Sequence, residues 1–148
     1  MNLQAKLLWG TVLVIVLVMA AVVAIVEKSQ RATIVEEVHR RGRLLARNLA
    51  AVSKGPLLLY DFTALEQNVA QVAQETDVAY AIILDLEGKV AARSGRPAEV
   101  GSIPQDPVSQ RAVKADAPLV QETVARDSGM ALYEFVVPVK VGGQRWGT

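Results

Sequence analysis

The sequence predicts an α+β protein in which an N-terminal transmembrane helix continues into a long stalk helix, followed by a small antiparallel sheet with flanking helices. Three observations predict it. An uncharged apolar run fills residues 7–26. A helical spacing of apolar residues follows as far as Ser53. From Val78 onward, short apolar segments alternate with glycine-bearing turns. The expected division is a short N-terminal segment over 1–6, a membrane helix over 7–26, a stalk over 27–53 and an α+β domain over 54–148.

The first run reads LLWGTVLVIVLVMAAVVAIV, closed by Lys6 and Glu27. At 1.5 Å per residue it is about 30 Å long, the thickness of a bilayer's hydrocarbon core. Trp9 lies near one end, where an indole prefers the membrane interface. A cleaved leader would carry a shorter run with a small-residue cleavage site after it. Here Ala20 and Ala21 lie inside the run and no clean site follows Val26, so a retained anchor is expected rather than a signal peptide or a buried soluble helix. Lys6 alone precedes the run, whereas Lys28, Arg31, Arg40 and Arg41 follow it. A literal positive-inside count therefore puts the C-terminal part in the cytoplasm.

In the stalk, Ile34, Val38, Leu45, Leu49 and Val52 fall roughly on one side of a helix. They form a weak heptad, interrupted by Arg41 and Asn48, that suits packing on the domain, on a partner subunit, or on both in turn. Lys54-Gly55-Pro56 is expected to end this helix. A second helix is expected from Ala64 to Glu75, with Thr63 as its cap and Glu66 completing a capping box.

Val78–Leu84 is expected as a buried strand, Asp85–Gly88 as a turn and Lys89–Ser94 as the antiparallel return. Asp106-Pro107 marks a helix start, with a short helix to Lys114. Leu119–Arg126 and Met130–Val139 are the next strands. Ala131, Tyr133, Phe135, Val137 and Val139 share one face of the latter and Glu134 lies on the other, while Pro138 interrupts hydrogen bonding near its end. Gly142-Gly143 signals a hairpin into a fifth strand starting at Gln144, which the sequence is expected to truncate, as in a fragment of a longer chain.

Composition narrows the function classes. Sixteen Lys and Arg balance fifteen Asp and Glu, without the basic excess typical of nucleic-acid modules, so no nucleic-acid partner is expected. The chain has no cysteine, which excludes disulfides, zinc–thiolate sites and thiol catalysis. His39 is the one histidine and lies on the stalk, with no base near any serine and no metal-ligand spacing. It is expected as a surface residue. No phosphate-loop string is present. Neither catalysis within these residues, nor a metal, nor a cofactor is expected.

The order of a membrane helix, a stalk, a second helix, the segment YAIILDLEGKVAARS and the closing LYEFVVPVKVGGQRWGT resembles the single Cache domain, the PAS-like sensor module of bacterial membrane receptors. The resemblance covers residues 29–148. Its most specific parts are Tyr80–Gly88 and the Val136-Val137-Pro138-Val139, Gly142-Gly143, Trp146-Gly147 series. It implies an antiparallel sheet of four to five strands, with the last strand beside the first in the centre. It also implies a periplasmic domain, a cytoplasmic N-terminus and an inner-membrane location, against the charge count.

By the same resemblance the segment is the input module of a signalling receptor, with a two-component sensor histidine kinase as the expected output. Chemoreceptor and diguanylate cyclase outputs are alternatives. A membrane-anchored structural or interaction domain without signalling output is the alternative of another class. A small-molecule ligand would lie between the sheet and the loops that cross it, with Tyr80, Arg93, Arg126 and Tyr133 as candidate contacts; arginine's two-pronged head suits a carboxylate. For each, a core or solvated strand role is the competing reading. The lipid bilayer and a second copy of the chain complete the expected partners.

Overall fold

The computed structural model describes residues 3–125 and 128–148. Helix α1 spans Leu3–Leu59, α2 Phe62–Ala73 and α3 Pro107–Lys114. The strands are β1 (Ile82–Leu84), β2 (Val90–Arg93), β3 (Leu119–Val124), β4 (Ala131–Val136), β5 (Val139–Val141) and β6 (Gln144–Gly147), with a 3-10 turn at Pro97–Glu99. The chain divides into two compact units, Met1–Arg40 and Arg41–Thr148.

In the first unit, Leu8–Val26 is long and apolar enough to cross a membrane, and none of that stretch is buried by the protein. His39 is half-buried rather than a surface residue.

In the second unit, Leu49, Ala50 and Leu57 of α1 face Leu65 and Val69 of α2. These join Ala81, Ile83, Ala91, Ala92 and Val139 in one apolar core. Leu49 of the expected stalk stripe is buried, but Val52 is not; Ser53 and Leu57 take the inward positions instead. Ile34, Val38 and Val52 remain exposed apolar residues.

The helix does not stop at Lys54-Gly55-Pro56. Pro56 lies inside it. Proline has no N–H to offer the carbonyl four residues back, which here belongs to Val52. The Asn68 side-chain amide of α2 donates to that carbonyl and to Ser53 Oγ, each at 3.5 Å, so a tertiary contact lets the helix pass the proline. The helix ends at a Schellman turn: Asp61 N–H donates to Pro56 O (2.9 Å) and Tyr60 N–H to Leu57 O (3.4 Å). Tyr60 holds the left-handed position, at φ 54°. Asp61, not Thr63, then caps α2, its carboxylate accepting from Ala64 N–H at 3.0 Å. The chain already turns at Asp61, so Thr63 falls within the helix.

The expected Asp85–Gly88 turn is present. Asp85 Oδ1 accepts from Lys89 N–H (2.8 Å) and Gly88 takes φ 80°. Gly142 and Gly143, at φ 60° and 83°, make the β5–β6 hairpin. The helix after Asp106-Pro107 starts as expected, with Asp106 Oδ1 accepting from Ser109 N–H at 2.8 Å.

In place of a single four- or five-stranded sheet, three two-stranded antiparallel ladders form: β1–β2, β3–β4 and β5–β6. The segment expected as one strand over 130–139 divides at Val137-Pro138, where proline cannot donate to a ladder. The first and last ladders are nonetheless tied. Leu84 and Thr148 exchange both backbone hydrogen bonds (2.7 and 2.9 Å), and Asp85 bridges Gly147. Gly147 is required there, because a β-carbon would overlap the Leu84 carbonyl oxygen. The C-terminal end of α3 is held by β5 and β6: Arg145 donates to Val113 O in its last turn, and Lys140 Nζ to Asp116 O just beyond the helix at 2.6 Å.

Candidate functional site

The β3–β4 ladder has two unlike faces. Register pairs Leu119 with Val136, Gln121 with Glu134 and Thr123 with Leu132. Leu119 and Val136 pack with Ala112 of α3 and with Ala115, which caps it, so this is the inward face. Its centre is polar. Gln121 is 8% exposed, and its amide nitrogen donates to Glu134 Oε2 (2.6 Å) and to Val108 O of α3 (2.9 Å).

Tyr80, just before β1, reaches the same carboxylate, its hydroxyl donating to Glu134 Oε1 at 2.9 Å. Glu134 thus bonds the β1 approach to β4, two parts of the chain that share no ladder. The Arg93 guanidinium lies over the Tyr80 ring, 5.1 Å from its centroid. Arg93 also pairs with Glu99 of the 3-10 turn at 2.6 Å, and Arg96 pairs with the other Glu99 oxygen at 3.2 Å. Burial, then the charge of Glu134 and its hydrogen bond, push the Tyr80 phenol well above its ordinary range; Arg93 opposes this and Asp106 adds to it.

Of the four residues expected from sequence, Tyr80 and Arg93 are brought together. Tyr133 is not among them: it alternates with Glu134, lies with Phe135 on the other side of β4 and is exposed. Arg126 lies outside the described residues. Gln121, Glu134 and Glu99 are the members that sequence reasoning missed. Glu134 carried a signal as the charged residue inside the otherwise apolar ALYEFV, whereas Gln121 stands among other polar residues in LVQETV and Glu99 lies in the 3-10 turn, where nothing local marks them. Among the described residues no group of three or more His, Asp and Glu is placed to hold a metal ion.

The outward face of β4 has its own contact. The Phe135 ring lies against Gly42 of α1. Adjacent residues of one strand therefore touch the polar cluster on one side and the helix on the other.

A polar cluster between strands and crossing segments supplies the few convergent polar groups that a small-molecule site needs. Residues 29–148 match the family described as Single cache domain 3, and the chain belongs to that family. It is a Cache sensor module of the type found in bacterial extracytoplasmic receptors. A search of curated proteins finds no match.

Proposed function

We propose that this chain is the periplasmic input module of an inner-membrane receptor, anchored by residues 7–26, with 1–6 in the cytoplasm, a stalk over 27–53 and the sensor over 54–148. Ligand or partner binding on the inward face of β3–β4 displaces β4, and β4 displaces α1. The observation that supports this reading is the alternation on β4: Glu134 bonds Tyr80 inside, while Phe135 seats on Gly42 outside. A shift of that strand reaches the helix without an intermediate. For the parent receptor we propose a histidine kinase output and assembly as a homodimer, which would cover the exposed Ile34, Val38 and Val52. No catalytic residue is assigned to this module.

The chain has no cysteine, so each introduced thiol is a unique probe. In spheroplasts, a membrane-impermeant maleimide should label Glu87→Cys without lysis and Gln4→Cys only after it. The reverse pattern rejects the topology. Paired-cysteine crosslinking along Ile34–Val52 in the full receptor should change with signalling state; an unchanged pattern rejects transmission through the stalk. Transfer of the ATP γ-phosphate to a histidine of the parent receptor tests the output.

A further inference from the structure

We propose that the inward face of β3–β4 takes a small ligand with a hydrogen-bond-donating nitrogen, a primary amine or ammonium, seated against the Gln121 amide oxygen and the Glu134 carboxylate. This rests on the reading of that face as the sensory surface, and adds the ligand class to it.

The first reason is the Gln121 amide. Its nitrogen sits between two acceptors, Val108 O and Glu134 Oε2. Turning the amide over would face its oxygen to both, so chemistry fixes the orientation. The oxygen is then left buried without a hydrogen-bond partner. A buried carbonyl with no donor is costly, and a bound N–H relieves it.

Charge supplies the second reason. The partners of Glu134 are a phenol and an amide, both neutral, and among the described residues no cation lies within ion-pair distance of it. Asp106 brings a further carboxylate near Tyr80. Of the two arginines expected as candidate contacts for a carboxylate, Arg93 is already paired with Glu99 and Arg126 lies outside the described residues. An anion entering here would meet carboxylates, whereas an ammonium group would meet the compensating charge and an open acceptor. The Nε of Arg93 is a buried donor without a partner, so a hydroxyl or carbonyl elsewhere on the ligand has a place as well.

Access supplies the mechanism. The Gln121 oxygen is closed to solvent, and on this proposal a ligand enters as the Gln121–Val108 bond between β3 and α3 opens. Occupancy is thereby tied to a movement of the first turn of α3.

The test is thermal unfolding of the full chain in detergent, titrated with methylammonium, ethanolamine, tetramethylammonium or acetate. The expected result is saturable stabilisation by the first two and none by the others. Gln121→Leu and Glu134→Gln should each weaken the effect by about tenfold. Glu134→Gln keeps the side chain's shape and an acceptor for Tyr80, so it reports binding even if Gln121→Leu does not fold. Equal stabilisation by tetramethylammonium, which has no N–H, overturns the proposal. Stabilisation by acetate alone overturns it while leaving a small-molecule sensor in place. Stabilisation by none of the four overturns the proposal and leaves the sensor reading to the crosslinking test.

Discussion

The ring of Phe135 on β4 rests on Gly42 of α1 so closely that a β-carbon at position 42 would overlap it. Both residues belong to the unit that begins at Arg41. A helix-interior glycine ordinarily costs about 1 kcal/mol relative to alanine. Its use here has a steric reason: it is the seat for an aromatic ring from a distant strand.

Gly42→Ala should therefore destabilise the domain by about 1–3 kcal/mol despite the better helix propensity of alanine, because the ring must be displaced. Phe135→Leu should recover part of that loss in the double variant, giving a favourable coupling in a double-mutant cycle measured by urea unfolding. If Gly42→Ala is neutral or stabilising, the contact is too loose to transmit displacement.

Asn68 provides a second coupled pair. Removing its amide in Asn68→Ala strands the Val52 carbonyl, for an expected loss of about 1 kcal/mol. In a Pro56→Ala background the restored backbone N–H can serve that carbonyl, so the same substitution should cost about half as much or less. Equal costs in the two backgrounds would show that Asn68 acts through another contact.

These two cases show which features were legible in the sequence. The apolar helix, the Asp106-Pro107 start, the Asp85–Gly88 turn and the Gly142-Gly143 hairpin are local. Each is set by the φ, the cap or the solvent preference of a few neighbouring residues, and each is found where expected. The continuation of α1 through Pro56 was not legible, since it depends on Asn68 from another helix. The inward face of β4 was hidden for a similar reason. Both of its faces carry apolar residues, Leu132 and Val136 on one and Tyr133 and Phe135 on the other. What decides between them is that Gly42 makes room for Phe135 on one side, while Gln121 and Tyr80 supply donors for Glu134 on the other. Two of the five residues of the candidate cluster, Tyr80 and Arg93, were consequently named from sequence, and Gln121, Glu134 and Glu99 were not.

Tyr60 is a non-glycine residue in the left-handed region, and its side chain is exposed. That backbone costs an L-residue about 1–2 kcal/mol. Tyr60→Gly should raise stability by about 0.5–1 kcal/mol, the remainder going to the greater freedom of glycine in the unfolded chain. Differential scanning calorimetry checks this. A fall in melting temperature would mean that the Tyr60–Phe62 ring contact, at 6.5 Å between centroids, outweighs the strain.

The final prediction concerns alkaline pH and the Tyr80–Glu134 bond. The folded-state pKa of Tyr80 is raised above the unfolded value of about 10, because ionisation would place a phenolate in a partly buried site beside a carboxylate. The neutral phenol is the form that the fold stabilises. Its contribution is fully present below the unfolded pKa and is lost as pH rises through the folded pKa. Stability should hold to about pH 9 and then fall, as the unfolded chain releases a proton that the folded chain keeps. Tyr80→Phe should remove this slope, and should cost about 1.5–3 kcal/mol at neutral pH because a charged acceptor loses its donor. Ultraviolet titration gives a direct reading. Of the three tyrosines, one should ionise only as the domain unfolds, and it should be missing from Tyr80→Phe. If Tyr80 ionises with the others while the domain remains folded, the hydroxyl is not held by Glu134, and the link between the β1 approach and β4 is absent.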